Sequence, residues 1–200
     1  PGLNIKELRK LNNLSKKYKT SNLIGYNRRY YSIIQKLKKK LKNETIISAH
    51  VEAHERYWIL KKIVKDKFVL KNWTYVNTSH VLNLLLFLLG DFKKVISFSK
   101  NDFNKKNIEV NTSALIEFKK KIFATFKSNW NVPGGFLIKI FCIKNTYILD
   151  PIEKCIVISK KFKTKEIKSE KYDIENKNGF YLQAKFFIKI ITKKEYYNDL

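Results

Sequence analysis

The chain has no methionine and, in 200 residues, only two cysteines and three prolines. Cys142 and Cys155 cannot build a disulfide framework, and their spacing matches no zinc or redox motif. Reduced thiols in a cytoplasmic protein are the simple expectation. The six glycines include no Gly-x-Gly-x-x-Gly turn, so no loop here can cradle a pyrophosphate. Long apolar runs are missing as well. The most apolar stretch, Val81 to Leu89, is far short of the ~20 residues that cross a bilayer, and no secretory leader opens the chain. No membrane partner is therefore expected. Without methionine, and opening Pro1-Gly2, the sequence reads as a piece of a longer protein.

Acidic residues are scarce too, 17 against 42 lysines and arginines, for a formal charge of +25. Such an excess ordinarily raises nucleic acid or an anionic membrane as partner. Yet Arg9, Arg28, Arg29 and Arg56 are the only arginines. The lysines are scattered through predicted helices and strands alike rather than gathered in one block, in a chain also rich in Asn and Ile, which with Lys have AT-rich codons. The charge therefore reads as genome composition on a solvated surface, and nucleic acid is not the favoured partner. A basic binding module, using exposed lysines with Tyr30 and Tyr31, is the alternative.

What is present suffices for a large core: 44% of residues are hydrophobic and 14% aromatic. Leu3 to Lys19 predicts an amphipathic helix with Asn4 as its cap and Leu8, Leu11 and Leu14 on one side. Asn22 to Tyr26 reads as a short buried strand, with Asn27, Arg28 and Arg29 at its carboxyl end, where open α/β sheets place ligand-contacting groups. Tyr30 to Leu41 is a second helix with Ile33, Ile34, Leu37 and Leu41 inward. Thr45 to His54 is strand-like. There His50, Glu52 and His54 share a face, but not at the helical spacing of a zinc motif, so no metal is expected. Arg56 to Asn72 reads as helix or irregular loop anchored by Tyr57, Trp58 and Ile59.

From Gly90 onward the pattern is a meander. Strands are expected at Val95–Phe98, Ser113–Phe118, Ile122–Asn129, Phe136–Ile143, Tyr147–Leu149 and Cys155–Ile158. A polar loop is expected at Asn101–Asn107 and an edge segment at Lys160–Lys171. A closing helix from Gly179 to Ile191 would bury Phe180, Phe187 and Ile191. Strands joined by short turns imply an α+β fold with a mainly antiparallel sheet, open on one side and covered by helices on the other.

The stretch from Asn77 to Gly90 organises the rest. Asn77 or Thr78 could cap a helix, Gly90 could end it, and Leu82, Leu85, Leu86 and Leu89 form its inward stripe. His80 then falls in the first turn, where the helix dipole favours the neutral imidazole. On spacing alone His80 is either a catalytic base or a histidine that anchors a buried helix.

The order of these features resembles the C-terminal portion of the Gfo/Idh/MocA family of NAD(P)-dependent sugar and inositol dehydrogenases. Pro1 matches the proline of the family's Glu-Lys-Pro motif. Gly25-Tyr26-Asn27-Arg28-Arg29 matches the motif that closes its last Rossmann strand. Ser79-His80-Val81-Leu82-Asn83 through Gly90 is similar to its Ser-His-x-x-Asp segment. Ser113 to Phe118, Ser128-Asn129-Trp130, and Gly179-Phe180 with Gln183 and Phe187 extend the likeness over nearly the whole chain. The resemblance implies that residues 1–29 close a dinucleotide-binding Rossmann domain and that residues 30–200 form a substrate and oligomerisation domain. It implies hydride transfer between NAD or NADP and a sugar or nucleotide-sugar carbon. His80 would be catalytic, Asn27, Arg28, Arg29 and Asn77 would bind substrate, and Tyr26 and Asn27 would touch cofactor. It further implies a homo-oligomer formed through the sheet. Two departures stand out. The family's aspartate four residues before the histidine is Val76 here, and the glycine-rich loop and motif lysine would precede Pro1. This stretch by itself is therefore expected to bind cofactor poorly and not to turn over, and a degenerate scaffolding homologue is a third reading.

Overall fold

The computed structural model describes residues 4–102 and 109–199; Pro1, and the expected polar loop beyond Asp102, lie outside them. Helix α1 (Ile5–Tyr18) begins at Asn4, whose side-chain oxygen accepts the amides of Lys6 and Glu7, each at 3.0 Å. Residues 20–26 differ from the expected strand: they join no sheet. Their backbone bonds go to the C-terminal segment instead, with the Asn22 amide on the Tyr197 carbonyl and the Ile24 amide on the Asp199 carboxylate. A lone extended segment needs a partner for its amides, and here that partner is irregular chain.

A 3-10 turn (Asn27–Tyr30) leads into α2 (Ser32–Leu41). Then come β1 (Ile46–Ala53), α3 (Tyr57–Ile63), α4 (Lys67–Lys71), a π-helical turn (Thr74–Thr78) and α5 (Ser79–Leu89). The meander follows as β2 (Phe92–Asp102), β3 (Glu109–Phe118), β4 (Phe123–Asn129), β5 (Phe136–Cys142), β6 (Asn145–Leu149), β7 (Cys155–Ser159) and β8 (Thr164–Ile167). Asn101 and Asp102 thus extend β2 rather than opening a loop. The chain ends in α6 (Lys171–Glu175) and α7 (Phe180–Thr192).

All eight strands form one sheet in the order β2-β3-β4-β1-β5-β6-β7-β8. Every pairing is antiparallel except β1 with β4, which run parallel. The first strand in sequence is therefore inserted at the centre, which its separation from the meander by three helices permits. Alternation decides the faces. Ala49, Val51 and Ala53 of β1 point into the core beside Ala124, Phe126, Ile138 and Ile140, while Ser48, His50 and Glu52 point to the open side.

Helices α2 and α5 close the covered face. Ile33, Ile34 and Leu37 meet Val81, Leu84, Leu85 and Leu89 over the sheet, each no more than 1% exposed. The inward stripe of α5 is set by Val81, Leu84, Leu85, Leu88 and Leu89, so Leu86 turns outward, unlike the expected stripe. α7 also rotates relative to expectation. Ile190 is buried, whereas Phe180 and Ile191 are more than half exposed. Gly179, at φ +80°, fixes its start: a Cβ there would lie 2.2 Å from the Asn27 carbonyl oxygen. Buried Asp173 completes this junction by accepting the Ser32 amide at 2.5 Å and the Gly179 amide at 2.9 Å.

Candidate functional site

A 3-10 turn directs successive side chains about 120° apart, so Asn27, Arg28 and Arg29 diverge. Asn27 donates to the Asn178 carbonyl at 3.1 Å, towards the start of α7. Arg29 is ion-paired with Asp199, both side chains nearly buried. Arg28 alone turns into a cavity of about 580 Å³ between the end of β1, α3 and the loop before β7. Its guanidinium lies over the Phe136 ring at 4.2 Å, and its Nη2 donates to the Asn77 side-chain oxygen at 3.2 Å. Its Nη1 is buried without a hydrogen-bond partner among the described residues. Burial pulls the guanidinium below its ordinary affinity for protons, against the nearby oxygens of Tyr31, Glu153 and Glu55.

Asn77 passes the interaction on, donating from Nδ2 to Glu55 Oε1 at 2.9 Å, and Thr78 donates to the same oxygen at 3.4 Å. Glu55 is only 4% exposed. Its backbone is held between strands, its amide on the Asn129 carbonyl and its carbonyl accepting the Asn131 amide. Burial pushes its carboxyl above the ordinary range, while the nearby Trp73 indole and the donors Asn77 and Thr78 pull the other way. Sequence reasoning missed this residue, although the signal was there. Glu55 is in phase with Ala49, Val51 and Ala53, so the alternation of β1 carried one step further aims it at the core side.

His80 lies in the first turn of α5, three residues beyond Asn77 and outside the cavity lining. The preceding π turn runs straight into α5, so neither Asn77 nor Thr78 makes a side-chain cap and His80 does not sit at a free helix end. The dipole argument therefore gives way to a different cause. Burial, aided by the charge of Arg28, holds the imidazole down to about 4. It is neutral at physiological pH. Its Nδ1 is buried with no partner among the described residues, and its ring meets the edge of Tyr26 at 5.1 Å. The expected site residues thus separate. Arg28, Asn77 and Glu55 line the cavity, whereas Tyr26 and His80, whose rings touch each other, are not among its lining residues. The side chains of Asn27 and Arg29 serve the α7 junction and the C-terminal segment.

The second expected cluster is self-contained. His50 Nε2 and His54 Nε2 contact the two oxygens of Glu52, at 3.1 and 3.2 Å. His54 Nδ1 accepts the Asn129 amide at 3.2 Å, and His50 Nδ1 bonds Thr125 Oγ1 at 2.8 Å. Among the described residues no group of three or more His, Cys, Asp or Glu is arranged to hold a metal.

The chain was compared with known proteins. The family model of the GFO/IDH/MocA C-terminal domain matches residues 50–148. No curated protein matches. Among solved structures, one assigned as an NADPH-dependent oxidoreductase of Desulfitobacterium hafniense DCB-2 superposes with a TM-score of 0.79 at 15% identity, covering 100% of this chain and 62% of that one. UDP-N-acetylglucosamine 3-dehydrogenase of Acidithiobacillus ferrooxidans gives 0.73 at 13% identity, over 96% of this chain and 60% of that one. A levoglucosan dehydrogenase complex with NADH and levoglucosan gives 0.61 at 12%, over 74% and 48%. At these identities the likeness is one of fold, and the chain spans roughly 60% of the length of the first two. The open sheet with its inserted central strand and the match over its middle agree: residues 50–148 carry the GFO/IDH/MocA C-terminal domain, and the fold around them is that of the solved structures.

Proposed function

We propose that this chain is the substrate half of an NAD(P)-dependent dehydrogenase that oxidises a hydroxyl of a sugar or nucleotide-sugar, or reduces the corresponding ketone. The observation that carries the reading is His80: a neutral, buried imidazole whose Nδ1 has no partner, beside the desolvated Arg28. Oxidising an alcohol removes a hydride from carbon and a proton from oxygen, and an unprotonated nitrogen within hydrogen-bond reach of that hydroxyl takes the proton. The nicotinamide, when bound, supplies the hydride acceptor. Tyr26 and His80 fit the reacting end of such a cofactor, whereas none of the described residues forms a pyrophosphate cradle. Arg28 offers its free Nη1 to a substrate oxygen, while Asn77 and Glu55 hold the guanidinium against Phe136.

α1 supports the domain division at residue 29. Its apolar residues Ile5, Leu11, Leu14 and Tyr18 remain 42–65% exposed, as expected of a helix whose sheet belongs to a preceding nucleotide domain. The open face supports a homo-oligomer, since Ile96, Phe98, Leu115, Phe123 and Phe141 lie on it with no helix over them. Free cysteines support a cytoplasmic setting, and no helix among the described residues is long and apolar enough to cross a membrane.

The test is a dehydrogenase assay on the full-length gene product, screening sugars and nucleotide-sugars with NAD and NADP. His80→Asn should lower kcat by ~10²–10⁴, the usual contribution of a general base. Activity that survives the substitution refutes the role of His80. An upstream reading frame lacking both a glycine-rich turn and Glu-Lys refutes the domain assignment.

A further inference from the structure

After α7 the chain turns back along residues 20–24, where residues 195–199 are held as a strap. Asn22 donates its amide to the Tyr197 carbonyl at 2.9 Å, and its Oδ1 accepts the Asp199 amide at 3.0 Å. Ser21 Oγ donates to the Glu195 carbonyl at 2.9 Å and accepts the Tyr197 amide at 3.2 Å. The Asp199 carboxylate takes three donors of its own. Its Oδ2 accepts the Ile24 amide at 3.0 Å and pairs with Arg29 Nη2, while its Oδ1 accepts the Tyr197 hydroxyl at 3.3 Å. One oxygen thus bridges residues 24 and 29. The chain between them carries Tyr26, whose ring meets His80, and Arg28, which enters the cavity.

Other contacts hold this segment one residue at a time. Gln183 Nε2 donates to the Ile24 carbonyl at 3.2 Å, Asn27 to the Asn178 carbonyl at 3.1 Å, and Gln35 Nε2 to the Arg29 carbonyl at 2.6 Å. Among the described residues, Asp199 alone ties its start to its end. The tie is well shielded from water. The Arg29 and Asp199 side chains are 14% and 11% exposed, together less than in any other ion pair among the described residues. Arg29 Nε is buried with no hydrogen-bond partner, so the guanidinium depends on this one carboxylate. Without it Arg29 would be a poorly hydrated, unpaired cation with a like charge, Arg28, as its neighbour in the chain. Its escape towards water would move the turn and carry Arg28 along.

We propose that Asp199 is a positioning residue of the site: by tying Ile24 to Arg29 it aims Arg28 into the cavity and Tyr26 at His80. Asp199 does not line that cavity and acts through Arg29. The inference rests on the dehydrogenase reading for what Arg28 does to a substrate, but the placement of Arg28 can be measured without turnover. An arginine that holds substrate in the ground state and transition state alike affects KM more than kcat.

The test uses the full-length gene product and two readouts. The first is the NMR signals of the Arg28 side chain, which the Phe136 ring 4.2 Å away shifts upfield. Asp199→Asn keeps the shape of the side chain and removes its charge, and those signals should move towards the values of free arginine. The second readout is steady-state kinetics, in which Asp199→Asn should raise KM at least about fivefold and lower kcat less than about threefold. Asp199→Glu keeps a carboxylate for Arg29 and should restore most of both. Ser21→Ala removes two strap bonds but leaves the carboxylate in place, and should change neither. Arg29→Gln breaks the same tie without stranding a cation, and should displace Arg28 even if Asp199→Asn fails to fold by circular dichroism. Arg28 signals that stay put in both variants overturn the proposal. So does an equal displacement in Ser21→Ala, or a displaced Arg28 with an unchanged KM. If the wild type shows no dehydrogenase activity yet Arg28 moves as expected, the dehydrogenase reading falls and the positioning of Arg28 by Asp199 stands.

Discussion

The two faces of the sheet are made by the same strands and meet opposite fates. On the covered face, Val51, Ile138, Ile140 and Leu149 are fully buried beneath α2 and α5. On the open face, in β2 and β3, Phe98 is 78% exposed and Leu115 47%. Alternation alone cannot produce this, because both parities carry large apolar side chains. The covered parity finds its partner within the chain. The open parity leaves Ile96, Phe98 and Leu115 exposed among polar neighbours. The polar site sits where neither rule holds, at the end of β1, where Glu55 continues the inward parity with a carboxylate.

Four substitutions sharpen that contrast. The largest effect belongs to the covered face: Leu85→Ala, at a side chain with no exposure, should cost ~2–5 kcal/mol in denaturant unfolding. A loss below ~1 kcal/mol would mean that α5 is not seated on the sheet. Next is the junction that places Arg28. Gly179→Ala puts a methyl 2.2 Å from the Asn27 carbonyl at φ +80°, so the turn must move. A destabilisation of roughly 2–3 kcal/mol is expected from strain of this kind, with a changed environment for Tyr26 visible by NMR.

The cleft itself is tested by acid. The native His80 is held down to about 4 from an ordinary 6.5. Between those values the unfolded chain binds the proton and the folded chain does not, so stability is intact above 6.5 and falls as pH drops towards 4. The loss is at most about 3 kcal/mol. His80→Asn should flatten that portion of the pH–stability curve, measured by urea midpoints at pH 7 and pH 4. An unchanged difference between the two pH values would show that Arg28 and burial do not act on this imidazole.

Much of this was legible in the sequence, for definite reasons. The meander from β2 to β8 is read from local alternation and turns, and those strands pair largely with their sequence neighbours. The central place of β1 is not local: its parallel pairing with β4 joins residues such as Ser48 and Phe123, far apart in the chain, which periodicity cannot see. The segment at Asn22–Tyr26 looks like a strand because it is apolar and extended. It fails as one because its hydrogen-bond partners are Tyr197 and Asp199. His80 and Arg28 were picked out from type and motif. Asn27 and Arg29 were grouped with Arg28 because adjacency in sequence was taken for adjacency in space, and the 3-10 turn undoes that grouping. Glu55 was missed because a charge after a strand is ordinarily solvent-facing.

The smallest expected effect on stability tests the open face, and it is the most informative about assembly. Phe98→Glu replaces a ring that is 78% exposed, so the folded monomer has little contact to lose and its unfolding free energy should stay within ~0.5 kcal/mol. If the open face is the contact between copies, a carboxylate there must be desolvated on association or leave the interface unformed. Analytical ultracentrifugation should then show the wild type as an oligomer and the variant shifted to monomer at the same concentration. Identical sedimentation of the two would remove Phe98 from the contact. Joined with an unaffected Leu115→Glu, it would return the whole open face to solvent.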